Sequence, residues 1–148
     1  MATSARYLDF ALIRVNPAYQ AYQILHLIFV VTSLVAGLDK FFHLLTNWDM
    51  YLAPAVVRML PITAHQFMLL VGIVEIVAGV VLAFRPLYGA FIVAAWLFCI
   101  IVNLLMFSGY YDIALRDFGL MLAALALGRL SVEYDHDSKI PSSKFVRQ

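Results

Sequence analysis

Four long apolar stretches constrain the fold of this chain more than any other feature. They cover residues 22–45, 63–84, 87–108 and 113–130. A helix needs about 20 mostly apolar residues to cross about 30 Å of hydrocarbon, so each stretch is a predicted membrane span. Because 64% of the residues are hydrophobic and only 13% are charged, the polar surface is too small for a soluble domain of 148 residues. The sequence therefore predicts an integral membrane protein.

The short connections between the predicted spans indicate a single domain over residues 22–130. We expect an all-α, four-helix bundle that runs up-down-up-down, because each backbone must satisfy its own hydrogen bonds within lipid. Residues 1–21 are too polar for a cleavable signal and have apolar residues at helical spacing, which predicts an amphipathic segment lying at the interface. Residues 131–148 form a polar tail.

The distribution of Lys and Arg predicts the orientation, because positively charged short loops stay cytoplasmic. One face of the predicted bundle carries most of the cations, namely Arg6, Arg14, Arg85, Arg129, Lys139, Lys144 and Arg147. The other face carries Lys40, Arg58 and Arg116. Both termini and the polar tail are therefore expected in the cytoplasm. The net charge of +1 gives no indication of a nucleic-acid partner.

The longest connection, residues 46–62, contains Trp48, Asp49 and Tyr51 followed by an apolar stretch between two prolines. One interpretation is a short interfacial helix that covers the outer end of the bundle. The other is an amphipathic loop that rests on the lipid headgroups.

Each apolar stretch contains polar side chains in its outer half. With a helical rise of about 1.5 Å per residue, the depths below the outer boundary are about 8 Å for Lys40, about 6 Å for Asn103, about 5 Å for Arg116 and about 12 Å for Glu75. Asp39 and Asp117 belong to the same layer. An ionised side chain at this depth costs about 2.5–3.5 kcal/mol, so we expect these groups to face the interior and pair with one another.

Helical spacing places several of these residues on shared faces. Gly72, Glu75 and Gly79 lie on one face of the second span, where the glycines would let a neighbouring helix approach the carboxylate closely. Trp96 and Asn103 share a face of the third span. These polar side chains from different spans are therefore expected to converge in one layer.

The fourth span has two predicted features. Asp112 and Arg116 are one helical turn apart, with the acid first, which predicts an ion pair. Gly119, Ala123 and Ala126 predict a face for close helix packing.

Two interpretations of the charged layer remain open at this point. Lys40 and Arg116 are close enough to the boundary to extend towards water, and Asp39 can lie at a hydrated helix end. Glu75 is too deep for that, so it is either neutral or paired with Lys40 or Arg116. A buried pair can serve only to fix how the helices dock, or it can take part in binding or proton movement.

Cysteine and histidine contribute little specific chemistry. The single cysteine, Cys99, excludes a disulfide or a Cys-x-x-C pair within the chain. His43 and His65 lie near the outer ends of their helices, and Asp39 is one turn from His43, so these three side chains could hold a metal ion. The alternative is that they are hydrated interfacial residues, and the sequence alone favours that alternative.

Three motifs carry a resemblance to a known family. Gly37-Leu-Asp-Lys40, Glu75-Ile-Val-Ala-Gly79 and Tyr111-Asp-Ile-Ala-Leu-Arg-Asp117, in this order and on these helices, resemble the pattern of the DoxX-like family of small four-helix bacterial membrane proteins. The resemblance covers about residues 22–130. It implies a multi-pass protein of the bacterial inner membrane and carries over Lys40, Glu75, Arg116 and Asp117 as site residues.

The family includes membrane subunits associated with thiosulfate:quinone oxidoreduction, and proteins linked to oxidative-stress complexes or to the maturation of periplasmic amine dehydrogenases. The resemblance therefore implies a redox association and a quinone as the possible cofactor. The cysteine pair on which thiol-based roles of some relatives depend is missing here.

Our first functional hypothesis is a redox-associated membrane subunit that binds a quinone head group or another small polar molecule in the polar layer. Lys40 and Arg116 would donate hydrogen bonds, Glu75 would exchange a proton, and Trp96 with Phe107 would bracket the ring. The layer as a whole comprises Asp39, Lys40, Glu75, Trp96, Asn103, Arg116 and Asp117. No catalytic residue is assigned, because the chain has no domain for a flavin or a nucleotide and would need a redox protein partner to supply electrons.

Two alternatives belong to other classes. The first is a carrier for a small solute or for protons with Glu75 as the titrating group, which would require a homo-oligomer because four helices enclose little space. The second is a scaffold whose outer loop docks a partner protein while the charges only hold the bundle together.

Overall fold

The computed structural model describes residues 16–137, and all regular structure in that part of the chain is helical. The helices are α1 (Pro17–Phe42), a 3₁₀ helix (Trp48–Tyr51), α2 (Pro54–Met59), α3 (Ala64–Phe84), α4 (Pro86–Leu105) and α5 (Tyr111–Asp137). The expected all-helical fold is confirmed over these residues. Residues 1–15 of the predicted interfacial segment and residues 138–148 of the predicted tail lie outside them. The end of that interfacial segment, which was predicted over residues 1–21, belongs to α1 from Pro17 onwards.

Local sequence signals set the starts of the long helices. The side chain of Asn16 accepts a hydrogen bond from the N–H of Ala18, and Pro17 occupies the first turn of α1. Thr63 and Gln66 form a reciprocal capping box at the start of α3. Pro86 begins α4 directly after Arg85, so the chain turns between α3 and α4 over a single residue.

The long helices pack around one apolar core. α1 contacts α3 and α5, and α4 contacts the same two helices, so the four form a closed ring. The core residues come from all four helices, and they are Phe29, Ala78, Leu82, Ala90, Val93, Ala94, Ala124 and Leu127. The contact between α1 and α3 is close because Gly37 and Gly72 face each other: a Cβ on either would lie 2.8 Å from the carbonyl oxygen of the other.

Large apolar side chains cover much of the outer surface. Ile24, Leu27, Phe42, Phe84 and Leu115 are all about two-thirds exposed or more. Contiguous exposed apolar surface on this scale is unfavourable in water and suited to lipid. Three helices, Pro17–Phe42, Ala64–Phe84 and Pro86–Leu105, are long and apolar enough to cross a membrane. The chain therefore has the properties of a multi-pass membrane protein that associates with a lipid bilayer.

The finer membrane topology stays a prediction. Within the described residues α5 does not meet the same criteria, because it carries Arg116 and Asp117 near one end and Arg129 and Glu133 near the other. Four membrane crossings in up-down-up-down order are thus expectations from the apolar stretches, and the cytoplasmic termini are an expectation from the charge pattern.

Helix ends differ from the predicted spans for identifiable reasons. α1 begins at Pro17 rather than near Tyr22 and ends at Phe42, because His43 adopts a left-handed conformation with φ 52° and ψ 40°. α5 continues through Asp137 into the predicted polar tail. Ser131 is fully buried there and donates to the carbonyl oxygen of Leu127, so this turn packs against the bundle although it is less apolar.

The predicted packing face of α5 is confirmed for Ala123, which is partly buried and packs against the core, and is wrong for the other two residues. Gly119 and Ala126 are exposed, and no atom would lie within 4 Å of a Cβ on Gly119. The buried residues of this part of α5 are instead Ala124, Leu127 and Gly128. Small residues occur on several faces of this helix, so their spacing alone did not identify the face that packs against the bundle.

Candidate ligand-binding cavity

A cavity of about 440 Å³ lies between the long helices and the chain that follows α1. We call it the polar cavity. Its polar lining comprises Lys40, Thr46, Glu75, Asn103, Arg116 and Asp117, and its aromatic lining comprises Trp48, Tyr51, Phe67 and Trp96. Most of the remaining wall is aliphatic, for example Leu52, Val71 and Leu104. A mostly apolar wall with a few converging polar groups is typical of a small-molecule site.

A buried ion pair joins two helices in the wall of the polar cavity. The Nζ atom of Lys40 in α1 lies 2.6 Å from Oε2 of Glu75 in α3, with 3% and 10% of the two side chains exposed. Lys40 also donates to the carbonyl oxygen of Ala36 at 3.4 Å. Of the two partners considered for Glu75 in the sequence, Lys40 is the one it contacts. The pair lies directly beside the Gly37–Gly72 contact, which brings α1 and α3 close enough for it to form.

Two tryptophans complete the surroundings of the ion pair. Trp96 in α4 donates from Nε1 to Oε1 of Glu75 at 3.4 Å, so both carboxylate oxygens have a donor. The Trp48 ring lies over the ammonium group, with Nζ of Lys40 3.8 Å from its centroid. A desolvated cation gains a substantial attraction from an aromatic face. The ammonium group is thus held by a carboxylate on one side and an indole on another.

The segment Trp48–Met59 closes over the polar cavity, and we call it the cover segment. It contains the 3₁₀ helix and α2, and its Leu52 and Ala53 are buried. Leu52 packs against Met68 and Val71 of α3. Of the two interpretations of residues 46–62, the structure supports short helices that cover the bundle rather than an amphipathic loop.

Asn103 fastens the cover segment to α4. Its Oδ1 atom accepts from the N–H of Ala53 at 3.0 Å, and its Nδ2 atom donates to the carbonyl oxygen of Tyr51 at 2.6 Å. These bonds use both the oxygen and the nitrogen of the side-chain amide. They satisfy two backbone groups that have no partner within the secondary structure. Asn103 therefore both lines the polar cavity and holds its cover.

Asp39 lies in the last turn of α1, and its carboxylate holds the turn that follows rather than lining the polar cavity. Its Oδ1 atom accepts from the N–H groups of Leu44 and Leu45 at 2.8 and 3.0 Å, and its Oδ2 atom accepts from Nε1 of Trp48 at 2.7 Å. The carboxylate is buried, yet Asp39 is not among the lining residues. It fixes the path of the chain from α1 to the cover segment and orients the indole that lies over Lys40.

Arg116 and Asp117 contribute a second ion pair from α5. Both Nε and Nη2 of Arg116 contact Oδ1 of Asp117, at 3.0 and 2.9 Å. The expected pair of Arg116 with Asp112 is wrong: the neighbouring carboxylate is buried and close, whereas Asp112 is exposed. Arg116 is itself 65% exposed, and its guanidinium retains N–H groups that these two contacts do not use.

The predicted metal ligands divide between two places. His43 and His65 come together, with ring centroids 5.3 Å apart, but Asp39 is committed to the turn described above. The acid beside the histidines is Asp49, whose Oδ2 atom lies 3.3 Å from Nδ1 of His65. Sequence spacing could not identify Asp49, since its position depends on how the chain turns back after α1.

The structure thus brings six of the seven predicted site residues to one cavity: Lys40, Glu75, Trp96, Asn103, Arg116 and Asp117. Phe107, expected beside Trp96, packs instead against Tyr110 and does not line the cavity. Trp48, in the connection of residues 46–62, was not among the predicted site residues, so its position over Lys40 was missed. Trp48 follows Asp39 by nine positions, so its indole can reach the buried Asp39 carboxylate if the chain reverses direction after α1. That spacing was the sequence feature that could have identified it.

Comparisons of the chain with protein-family models, curated proteins and solved structures find no match.

Proposed function

We propose that this protein is a redox-associated membrane subunit that binds a quinone, or another small molecule with a neutral polar head, in the polar cavity. The observation that carries the proposal is a largely apolar cavity of about 440 Å³ whose buried Lys40–Glu75 pair is flanked by two indoles. An apolar wall suits an isoprenoid-bearing ring, and the polar groups suit its oxygens.

The charges of the cavity favour a neutral ligand. Lys40 is balanced by Glu75, and Arg116 is balanced by Asp117, so the four ionisable groups carry no net charge together. A charged ligand that displaced Lys40 or Glu75 from their pair would leave the other group buried and unpaired, which is strongly unfavourable. A carbonyl oxygen can accept a hydrogen bond without breaking either pair.

The residues have separable roles in this proposal. Arg116 donates an N–H to one ligand oxygen, because its guanidinium has donors beyond those used by Asp117. Glu75 accepts or supplies a proton through the network with Lys40 and Trp96. Trp48 and Trp96 contact the ring faces. Electrons would come from a redox protein partner, since the described helices offer no flavin or nucleotide fold.

The cellular setting follows the same proposal. The motifs that resemble the DoxX-like family and the Lys/Arg distribution support a location in a bacterial inner membrane, with the polar cavity in the outer half of the bilayer and both termini cytoplasmic. A quinone would then reach the cavity from the outer leaflet.

Mass spectrometry of solvent extracts tests the proposal. We expect protein purified in mild detergent to retain quinone near one molecule per chain, and Arg116→Gln to retain at least 10-fold less. Arg85→Gln is the matched control, because Arg85 is an exposed arginine that does not line the cavity. Equal retention by Arg116→Gln and wild type would contradict the proposed role of Arg116. Absence of quinone from wild type reconstituted with excess quinone would contradict the proposal itself.

The carrier alternative predicts a different result. A proton or solute carrier would show flux in sealed vesicles that depends on Glu75, whereas a binding subunit retains its ligand without flux. Vesicle flux and quinone retention therefore separate the two functions.

A further inference from the structure

We propose that His43, Asp49 and His65 form a binding site for a divalent transition metal of the zinc class. His43 terminates α1, His65 lies in the first turn of α3, and Asp49 lies in the 3₁₀ helix of the cover segment. A metal at this position would fasten the cover segment to the ends of two long helices. The inference does not depend on the identity of the ligand in the polar cavity.

The ligand atoms are already near one another. One atom from each of the three residues can be chosen so that all three lie within 4.8 Å of one another. Zinc binds nitrogen and oxygen at about 2.0–2.2 Å in a tetrahedron, which places ligand atoms about 3.3 Å apart. The Asp49–His65 separation of 3.3 Å already has this value. The ligand nitrogen of His43 lies within 4.8 Å of the other two ligand atoms, so metal binding would draw it closer.

The carboxylate of Asp49 gives a second, independent indication. Among the buried side-chain oxygens and nitrogens of residues 16–135, Oδ1 of Asp49 is the one with no hydrogen-bond partner. Buried polar atoms in native proteins nearly always have a partner, and an ion is one explanation for an exception. The second oxygen of the same carboxylate already faces His65.

The backbone at His43 gives a third indication. His43 is the single non-glycine residue with positive φ between residues 16 and 137. Its N–H donates to the carbonyl oxygen of Asp39 at 2.7 Å, and the Asp39 carboxylate holds the next two N–H groups. Such conformations concentrate at functional sites, where the surroundings maintain them. Asp39 is thus a positioning residue for His43.

The donor set selects the metal. Two imidazoles and one carboxylate suit Zn²⁺ and related transition ions, whereas Mg²⁺ and Ca²⁺ prefer oxygen ligands. Three protein ligands leave the fourth tetrahedral position for water or for a group from a partner. The exposed side of His65 leaves that position accessible.

The first test measures Zn²⁺ binding to full-length, tag-free protein in detergent after chelator treatment. We expect one Zn²⁺ per chain by calorimetry and elemental analysis, and at least 100-fold weaker binding for His65→Ala and for Asp49→Asn. His136→Ala is the control histidine and should bind like wild type. Stoichiometric binding that survives both His65→Ala and Asp49→Asn, or no binding by wild type, would overturn the proposal.

The second test needs no variant and therefore does not depend on variant folding. Co²⁺ added to the metal-free wild type should give the intense visible bands of a tetrahedral site, and Zn²⁺ should displace it. A spectrum identical to that of Co²⁺ in buffer would contradict the proposed coordination. Circular dichroism of each variant shows whether a loss of binding accompanies a loss of helix.

Discussion

The ammonium group of Lys40 in α1 lies 2.6 Å from a carboxylate oxygen of Glu75 in α3, in the wall of a mostly apolar cavity. Both groups are almost fully enclosed, and the pair is also contacted by Trp48, by Trp96 and by the carbonyl oxygen of Ala36. Removing one partner leaves the other buried and charged, whereas removing both leaves an apolar wall. A comparison of single and double variants therefore separates the contribution of the pair to stability from its contribution to ligand binding.

Glu75→Gln is expected to destabilise the protein strongly, because Lys40 then lacks its counter-charge. Breaking one side of a buried pair costs about 3–5 kcal/mol. The double variant Lys40→Met/Glu75→Met should recover most of that loss, since both charges are absent. Thermal unfolding of both variants and wild type in the same detergent measures these changes in stability. Equal destabilisation by the single and double variants would show that the loss of stability does not come from an unpaired buried charge.

Gly37→Ala is expected to lower the free energy of unfolding by about 1–3 kcal/mol through overpacking. Its new Cβ would lie 2.8 Å from the carbonyl oxygen of Gly72, a backbone atom that cannot move without separating α1 from α3. Gly119→Ala is the matched control, because no atom lies within 4 Å of its Cβ position. Alanine there should be neutral or stabilising by up to about 1 kcal/mol. Similar losses at both positions would refute the close-contact explanation.

Asn103→Leu is expected to loosen the cover segment without unfolding the bundle. The variant loses the bonds to Tyr51 and Ala53, each worth about 0.5–1.5 kcal/mol. Hydrogen exchange should become at least several-fold faster in residues 48–59 and stay unchanged in the core of α4. The conservative Asn103→Asp keeps only the acceptor and should give an intermediate rate. Unchanged exchange in Asn103→Leu would show that other contacts hold the cover.

Asp39→Ala is expected to disturb the end of α1 and the indole of Trp48 together. The carboxylate accepts three hydrogen bonds, from Leu44, Leu45 and Trp48, so its loss removes one helix-terminating turn and one side-chain anchor. In the background Trp96→Phe, where Trp48 is the remaining tryptophan, its emission should shift to longer wavelength as it becomes hydrated. An unchanged emission maximum would mean that Lys40 and the cover alone position the indole.

The sequence predicted the convergence of the polar residues because two simple constraints apply. A helix advances a fixed distance per residue, and buried charges in lipid must find partners, so Lys40, Glu75 and Asn103 could be assigned to one layer. The partner choice of Arg116 was not predictable in the same way. Both Asp112 and Asp117 are within its reach, and the difference is that Asp117 alone is buried.

The contribution of the cover segment depended on tertiary structure. Trp48 and Asp49 follow α1 in a connection with no regular period, and their positions are set by the left-handed turn at His43 and by Asn103. A left-handed histidine has no reliable sequence signal, because this conformation is usually adopted by glycine or asparagine. For the same reason the acid beside His65 was assigned to Asp39 rather than to Asp49.

The most direct test of the central claim, that the polar cavity binds a neutral ring, uses its own tryptophans. The chain contains two tryptophans, and both line the cavity. Titration of wild type with a water-soluble short-chain quinone should quench most of the tryptophan emission in a saturable manner, and Lys40→Met/Glu75→Met should need at least 10-fold more quinone. Linear, non-saturating quenching that is equal in the two proteins would contradict the claim.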